Sequence, residues 1–189
     1  MGIVLASGSP RRYELLKMAG LEDFSVIPDD AEEEILGGQT PEQTVCSIAM
    51  QKAVNVSLKC SADDLIIAAD TLVFLDGRPI SKPVDKDDAK KMLRSLSGRR
   101  HTVYTGVAIL KGTMKSVYAE KSNVFFRELS DSEITSYVET GEPMDKAGAY
   151  GAQGRGAVFI ERIEGDFFNV MGLPLCRLFI MLKEFGVIV

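Results

Sequence analysis

Asp70 stands inside the run Leu65-Ile-Ile-Ala-Ala-Asp-Thr-Leu-Val-Phe-Leu75, where an ionisable side chain is least expected. A carboxylate among buried neighbours has to be met by a cation, by hydrogen bonds or by a metal. Breaks in a strong strand pattern tend to fall at functional sites. A strand end with Asp70 exposed at a turn is the alternative. Because apolar strand residues resume at Leu72, the functional reading is preferred. Lys52 raises a similar question. Val45, Ile48, Ala49, Ala53 and Val56 recur at helical spacing, and position 52 falls on that stripe. A lysine there either snorkels to solvent or reaches into a polar cavity.

Ser7-Gly8-Ser9-Pro10-Arg11-Arg12 follows a short apolar run and opens a helix, with Ser9 expected as N-cap and Pro10 in the first helical position. Backbone N–H groups, two hydroxyls and two arginines at one helix start suit a phosphate. An ordinary strand–helix turn with exposed arginines fits the same residues. Lys82 precedes Pro83 and, taken alone, is a surface lysine. The acidic run Asp29, Asp30, Glu32, Glu33, Glu34 offers oxygen ligands suited to Mg²⁺ or Mn²⁺, and equally reads as a solvated stretch. Asp145 to Gly154 is dense in glycine. Either its backbone comes close to a ligand, with the Gln153 amide against a base edge, or it is a flexible loop. His101 reads as structural or surface. Together these groups suggest phosphate-ester or anhydride chemistry with a divalent metal, without naming the substrate.

Composition narrows the setting. The 189 residues are 46% hydrophobic, 26% charged and 7% aromatic, which excludes a disordered chain and a disulfide miniprotein. A net charge of −5 argues against a nucleic-acid groove. Three scattered cysteines and one histidine indicate neither a zinc site nor a disulfide framework, and fit a reducing cytoplasm. No apolar run is long enough to span a membrane, and no secretory signal is expected.

The elements that must carry these groups can be read in order. Strands are expected at Ile3–Ala6 and Phe24–Ile27. Helices follow Ser9 and the capping box Thr40–Gln43. An extended segment runs over residues 65–75 with a hairpin turn at Asp76-Gly77. A helix over 87–96, extended chain over 102–110, 117–119 and 123–126, and a helix after Ser130 come next. A hairpin is expected from Val158–Ile163 to Phe167–Met171, and a last helix over 174–185. Alternation mixed with hairpins predicts one α/β or α+β domain over residues 1–189, built on a mixed sheet.

Leu5-Ala-Ser-Gly-Ser-Pro-Arg-Arg12, Gln51-Lys52-Ala53, Ala69-Asp70-Thr71, Ser81-Lys82-Pro83, Leu96-Ser-Gly-Arg99, the stretch Asp145–Gly154 and Phe168-Asn-Val-Met-Gly-Leu-Pro174 together resemble the Maf family over nearly the whole chain. The resemblance implies a mixed twisted sheet flanked by helices, in the ITPase-like (Maf/Ham1) fold with a cleft between two lobes. It implies a cytoplasmic, homodimeric nucleoside triphosphate pyrophosphatase requiring Mg²⁺ or Mn²⁺, linked to septum formation and nucleotide-pool cleaning. Neither a membrane nor a nucleic acid would be a partner. Asp70 would be the catalytic base and, with Glu33, would serve the metal. Ser7, Ser9, Arg12, Lys52 and Lys82 would hold the triphosphate. Arg11, Thr71 and Gln153 match the specificity positions of the subgroup that prefers dTTP and UTP, while Ala152 departs from a bulkier aliphatic. The alternatives are the same chemistry on 7-methyl-GTP or deaminated purines, or a division regulator that binds nucleotide without turnover.

Overall fold

The apolar runs become the strands of one sheet, described in a computed structural model over residues 2–31 and 37–187. In chain order the elements are β1 (Ile3–Leu5), α1 (Pro10–Met18), β2 (Ser25–Val26), α2 (Pro41–Ser57), β3 (Leu65–Leu75) and β4 (Arg78–Ile80). They continue with α3 (Lys86–Leu96), β5 (Arg100–Lys111), β6 (Met114–Phe126) and α4 (Asp131–Glu139). Three 3-10 turns at Glu142–Asp145, Ala147–Ala149 and Arg155–Phe159 precede β7 (Ile160–Glu164), α5 (Phe167–Met171) and α6 (Leu175–Glu184).

The strand order is β2-β1-β3-β5-β6-β7, with β4 beside β3. β1 is parallel to both β2 and β3, whereas β4 is antiparallel to β3 and β7 to β6. The expected mixed α/β sheet is therefore present. With β2 on one side of β1 and β3 on the other, the chain changes direction across the sheet at β1. Such switch points leave a crevice at the carboxyl end of the strand, and Ser7 to Arg12 follow β1 there.

The chain divides into two compact units, each assembled from separate stretches. The first comprises Met1–Thr71, Thr105–Glu120 and Gly172–Val189; the second comprises Leu72–Tyr104 and Lys121–Met171. In the first unit Val4, Ala6, Ile66 and Ala68 share a core with Ala49, Ala53 and Val56 of α2. The capping box forms as expected: the Gln43 N–H donates to Thr40 Oγ1, and the Thr40 N–H to Gln43 Oε1. Gly106 lets this helix lie directly on β5. A Cβ there would come within 2.2 Å of the Val45 carbonyl oxygen. In the second unit Leu93 and Leu96 of α3 and Ile134 and Val138 of α4 pack with Val103 and Val124. Asp76 and Gly77 both have positive φ, 51° and 75°, the pairing that a tight two-residue hairpin between β3 and β4 requires.

Two local expectations are corrected. Phe167–Met171 is helix α5 rather than the return strand of a hairpin. Asp166 Oδ1 accepts the Phe168 N–H at 2.7 Å, so a local cap overrides the strand-like composition of the run. Ser9 does occupy the N-cap position of α1, but its side chain makes no capping bond.

Gly106→Ala should therefore destabilise the protein by about 2 kcal/mol or more, since backbone rather than a movable side chain blocks the new methyl. Urea unfolding that matches wild type would refute this account of how α2 is seated.

Candidate active site

Two periodicities bring Asp70 and Lys52 together. Along β3, side chains alternate faces, so Asp70 continues the face of Ile66 and Ala68 that α2 covers. Along α2, Lys52 lies between Ala49 and Val56 on the stripe turned to that face. Lys52 Nζ donates to Asp70 Oδ1 at 2.7 Å, with both side chains largely buried. The ammonium offsets the charge of a carboxylate that the interior would otherwise reject. Lys52 thus enters the interior instead of snorkelling, and β3 runs through Asp70 without a turn. Leu5 of β1 is in register with Ile67, so Asp70 lies just beyond the level at which β1 turns off into Ser7. The other carboxylate oxygen, Oδ2, is buried without a protein partner.

Arg12 organises the turn after β1. Its Nε donates to the Gly172 carbonyl at 2.8 Å, Nη1 to Ser7 Oγ at 3.1 Å and Nη2 to Thr71 Oγ1 at 3.1 Å. Ser7 Oγ also accepts the Ser9 N–H at 3.3 Å. Thr71 Oγ1 lies 2.9 Å from Thr105 Oγ1, either of which can donate. A planar guanidinium is the side chain able to span three such acceptors at once. Thr105 and Gly172 are therefore part of this arrangement, and sequence reasoning did not single out either for a role. A threonine inside an apolar strand carries no local signal, and the Gly172 contribution is a backbone carbonyl.

Arg11 is half-buried in the first turn of α1, while Lys82 and Gln153 are exposed on the second unit. Glu33 lies outside the described residues. Of the acidic run, Asp29 accepts from Asn55 Nδ2 at both carboxylate oxygens, at 3.4 and 3.1 Å. Among the described residues no three His, Cys, Asp or Glu side chains gather as a ready metal cluster. The unpartnered, buried Asp70 Oδ2 nonetheless suits a hard cation that takes few protein oxygens and completes its shell from substrate. Among the described residues no helix is long and apolar enough to cross a membrane.

A family model described as Maf-like protein matches residues 2–185. The chain belongs to the Maf family. Three relatives named dTTP/UTP pyrophosphatase are similar over nearly their whole length. The protein of Pelotomaculum thermopropionicum is 50% identical, with 97% of this chain and 96% of the relative covered. That of Caldicellulosiruptor bescii is 48% identical, covering 97% and 94%, and that of Bacillus anthracis is 46% identical, covering 98% and 96%. Among solved structures, a HAM1 protein from Coxiella burnetii has a TM-score of 0.54 at 17% identity, covering 97% of this chain and 99% of that one. The Ham1 protein of Staphylococcus aureus has a TM-score of 0.51 at 19% identity, covering 85% and 80%. The Ham1-like fold implied by the motifs is thus borne out.

In this Maf chain the glycine-rich stretch is not a loose loop. Ala147–Ala149 is a 3-10 turn, and residues 150–154, with Gln153, form the turn that leads into the next one at Arg155–Phe159. Gly154 and Gly156 make room for protein groups: Cβ atoms there would lie 2.3 Å from Glu142 Oε1 and 2.8 Å from the Tyr137 hydroxyl. His101 is structural. It is buried, its Nε2 is 2.8 Å from the Tyr150 hydroxyl, and Phe126 and Tyr150 meet its ring edge-on. Burial pushes its pKa down from 6.5 to about 4.

An unfolded chain binds this proton near pH 6.5 and the folded one only near 4, so stability should decline as pH falls through that window. The loss should reach about 3 kcal/mol at the lower end. Denaturant unfolding between pH 7.5 and 4.5 checks this, with His101→Gln expected to flatten that part of the slope. An unaltered slope would assign the effect elsewhere.

Proposed function

We propose that this Maf protein is a nucleoside triphosphate pyrophosphatase that converts dTTP and UTP to the nucleoside monophosphate and pyrophosphate. The observation that carries the chemistry is the buried Asp70, paired with Lys52 through one oxygen and without a protein partner at the other. A carboxylate held this way can take a proton from water directed at the α-phosphorus. The substrate reading is supported by the names of relatives 46–50% identical along nearly the whole chain.

In this reading Asp70 is the general base, and Ser7, Ser9, Arg12, Lys52 and Lys82 bind the triphosphate through hydroxyl donors and cationic groups. Arg11, Thr71 and Gln153 select the base, the Gln153 amide donating to and accepting from a pyrimidine imide edge. Mg²⁺ or Mn²⁺, held by Asp70 with Glu33, would supply charge neutralisation on the phosphates when bound. The resemblance further supports a cytoplasmic homodimer acting in nucleotide-pool cleaning, with an effect on septum formation.

Pyrophosphate release from a panel of nucleoside triphosphates, with Mg²⁺ or Mn²⁺ and with chelator, tests the reading. Preference for dTTP and UTP, lost with chelator, is the expected result. Asp70→Asn should lower kcat by roughly a hundredfold to ten-thousandfold while nucleotide binding survives. Preference for 7-methyl-GTP or ITP would discard the specificity assignment, and Asp70→Asn turning over normally would discard the mechanism.

A further inference from the structure

The glycine-rich turn that carries Gln153 is held from within by one carboxylate. Glu142 Oε2 accepts the Arg155 N–H at 3.0 Å, and Oε1 accepts the Gly156 N–H at 3.3 Å and the Tyr137 hydroxyl at 2.9 Å. The same Tyr137 oxygen accepts the Gly151 N–H at 3.1 Å. Backbone on both sides of Gln153, two residues before it and two and three after, is thereby tied to a single Glu–Tyr pair.

The pair is itself fixed. The Glu142 N–H donates to Thr140 Oγ1 at 3.2 Å, and Lys146 Nζ donates to the Glu142 carbonyl at 2.6 Å. Burial alone would raise the Glu142 carboxyl pKa, but the Arg155 N–H, the Tyr137 hydroxyl and the Gly156 N–H outweigh it and hold the group below its usual range. Burial moves the Tyr137 phenol upward, so it stays protonated and able to donate. The glycines follow from this arrangement. A side chain at 154 would occupy the position of the Glu142 carboxylate, and one at 156 that of the Tyr137 hydroxyl. The N–H groups at the start of the Arg155–Phe159 turn are therefore spent on an internal anion, which sets them apart from a loop that cradles phosphate.

We infer that Glu142, with Tyr137, is a positioning residue for base selection: it acts through the Gln153 backbone and touches neither the phosphates nor the reacting atoms. The inference rests on the reading of Gln153 as the base-selecting amide. An amide that must meet a pyrimidine edge in both directions discriminates only if its backbone cannot shift. In Glu142→Gln one oxygen becomes a donor facing donors, so the clamp loosens with little change of shape.

The test compares kcat/KM for dTTP and dCTP in wild type, Glu142→Gln, Tyr137→Phe and Gln153→Ala. The two substrates differ where thymine has a carbonyl acceptor and cytosine an amino donor. The dTTP:dCTP ratio should fall roughly tenfold to a hundredfold in Glu142→Gln, with the larger part of the dTTP loss in KM. Tyr137→Phe should move it in the same direction by less. If both variants melt as folded proteins and keep the wild-type ratio while Gln153→Ala loses it, the inference is overturned. If Glu142→Gln does not fold, the Tyr137→Phe ratio decides alone. A wild-type ratio in Gln153→Ala overturns the reading of Gln153 itself, and the inference with it.

Discussion

The Lys52–Asp70 ion pair is the constraint around which the first unit is arranged. It lies beside a core layer of Ala49, Ala53, Val56, Ile66 and Ala68, where a charge is costly without a partner. Removing one partner of such a pair typically costs about 3–5 kcal/mol, because the other is left buried and uncompensated. Both elements that carry the pair must therefore be seated closely: β3 has to pass unbroken through position 70, and α2 has to lie low enough on the sheet for Lys52 to reach it. An ion pair that satisfies one carboxylate oxygen and leaves the other without a protein partner is poor design for stability alone. It makes sense where that oxygen has a chemical task.

Close approach recurs as the means by which this chain places its candidate site residues. At Gly106 the missing side chain admits the backbone of α2, and with it Lys52. At Gly154 and Gly156 the missing side chains admit the Glu142 carboxylate and the Tyr137 hydroxyl, which tie down the turn bearing Gln153. In both cases the missing side chain lets a second piece of protein come near enough to fix the backbone beside a candidate site residue. Arg12 achieves a similar result by reach, drawing Ser7, Thr71 and the Gly172 carbonyl onto one rigid fork.

Much of this was legible in the sequence because it depends on local periodicity and capping. The apolar run around Asp70, the helical stripe containing Lys52, the two capping boxes and the Asp76-Gly77 turn are short-range patterns, and all of them appear in the structure. The departure at Phe167–Met171 is also local: the composition of the run favours an extended chain, and the cap that Asp166 provides favours the helix.

What the sequence by itself determined was which residues are candidates for chemistry, the apolar run that holds Asp70, the helical stripe that holds Lys52 and, through its ordered motifs, the resemblance to the Maf family. The run and the stripe follow from side-chain type and from the strand and helix repeats, which the backbone imposes without reference to distant parts. Only the tertiary structure decided their partners. Thr105 is 34 residues from Thr71, Gly172 is 160 from Arg12, and Glu142 is 13 and 14 from the N–H groups it holds. Such pairings arise from how strands order in a sheet and how turns fold back, and no local spacing encodes them.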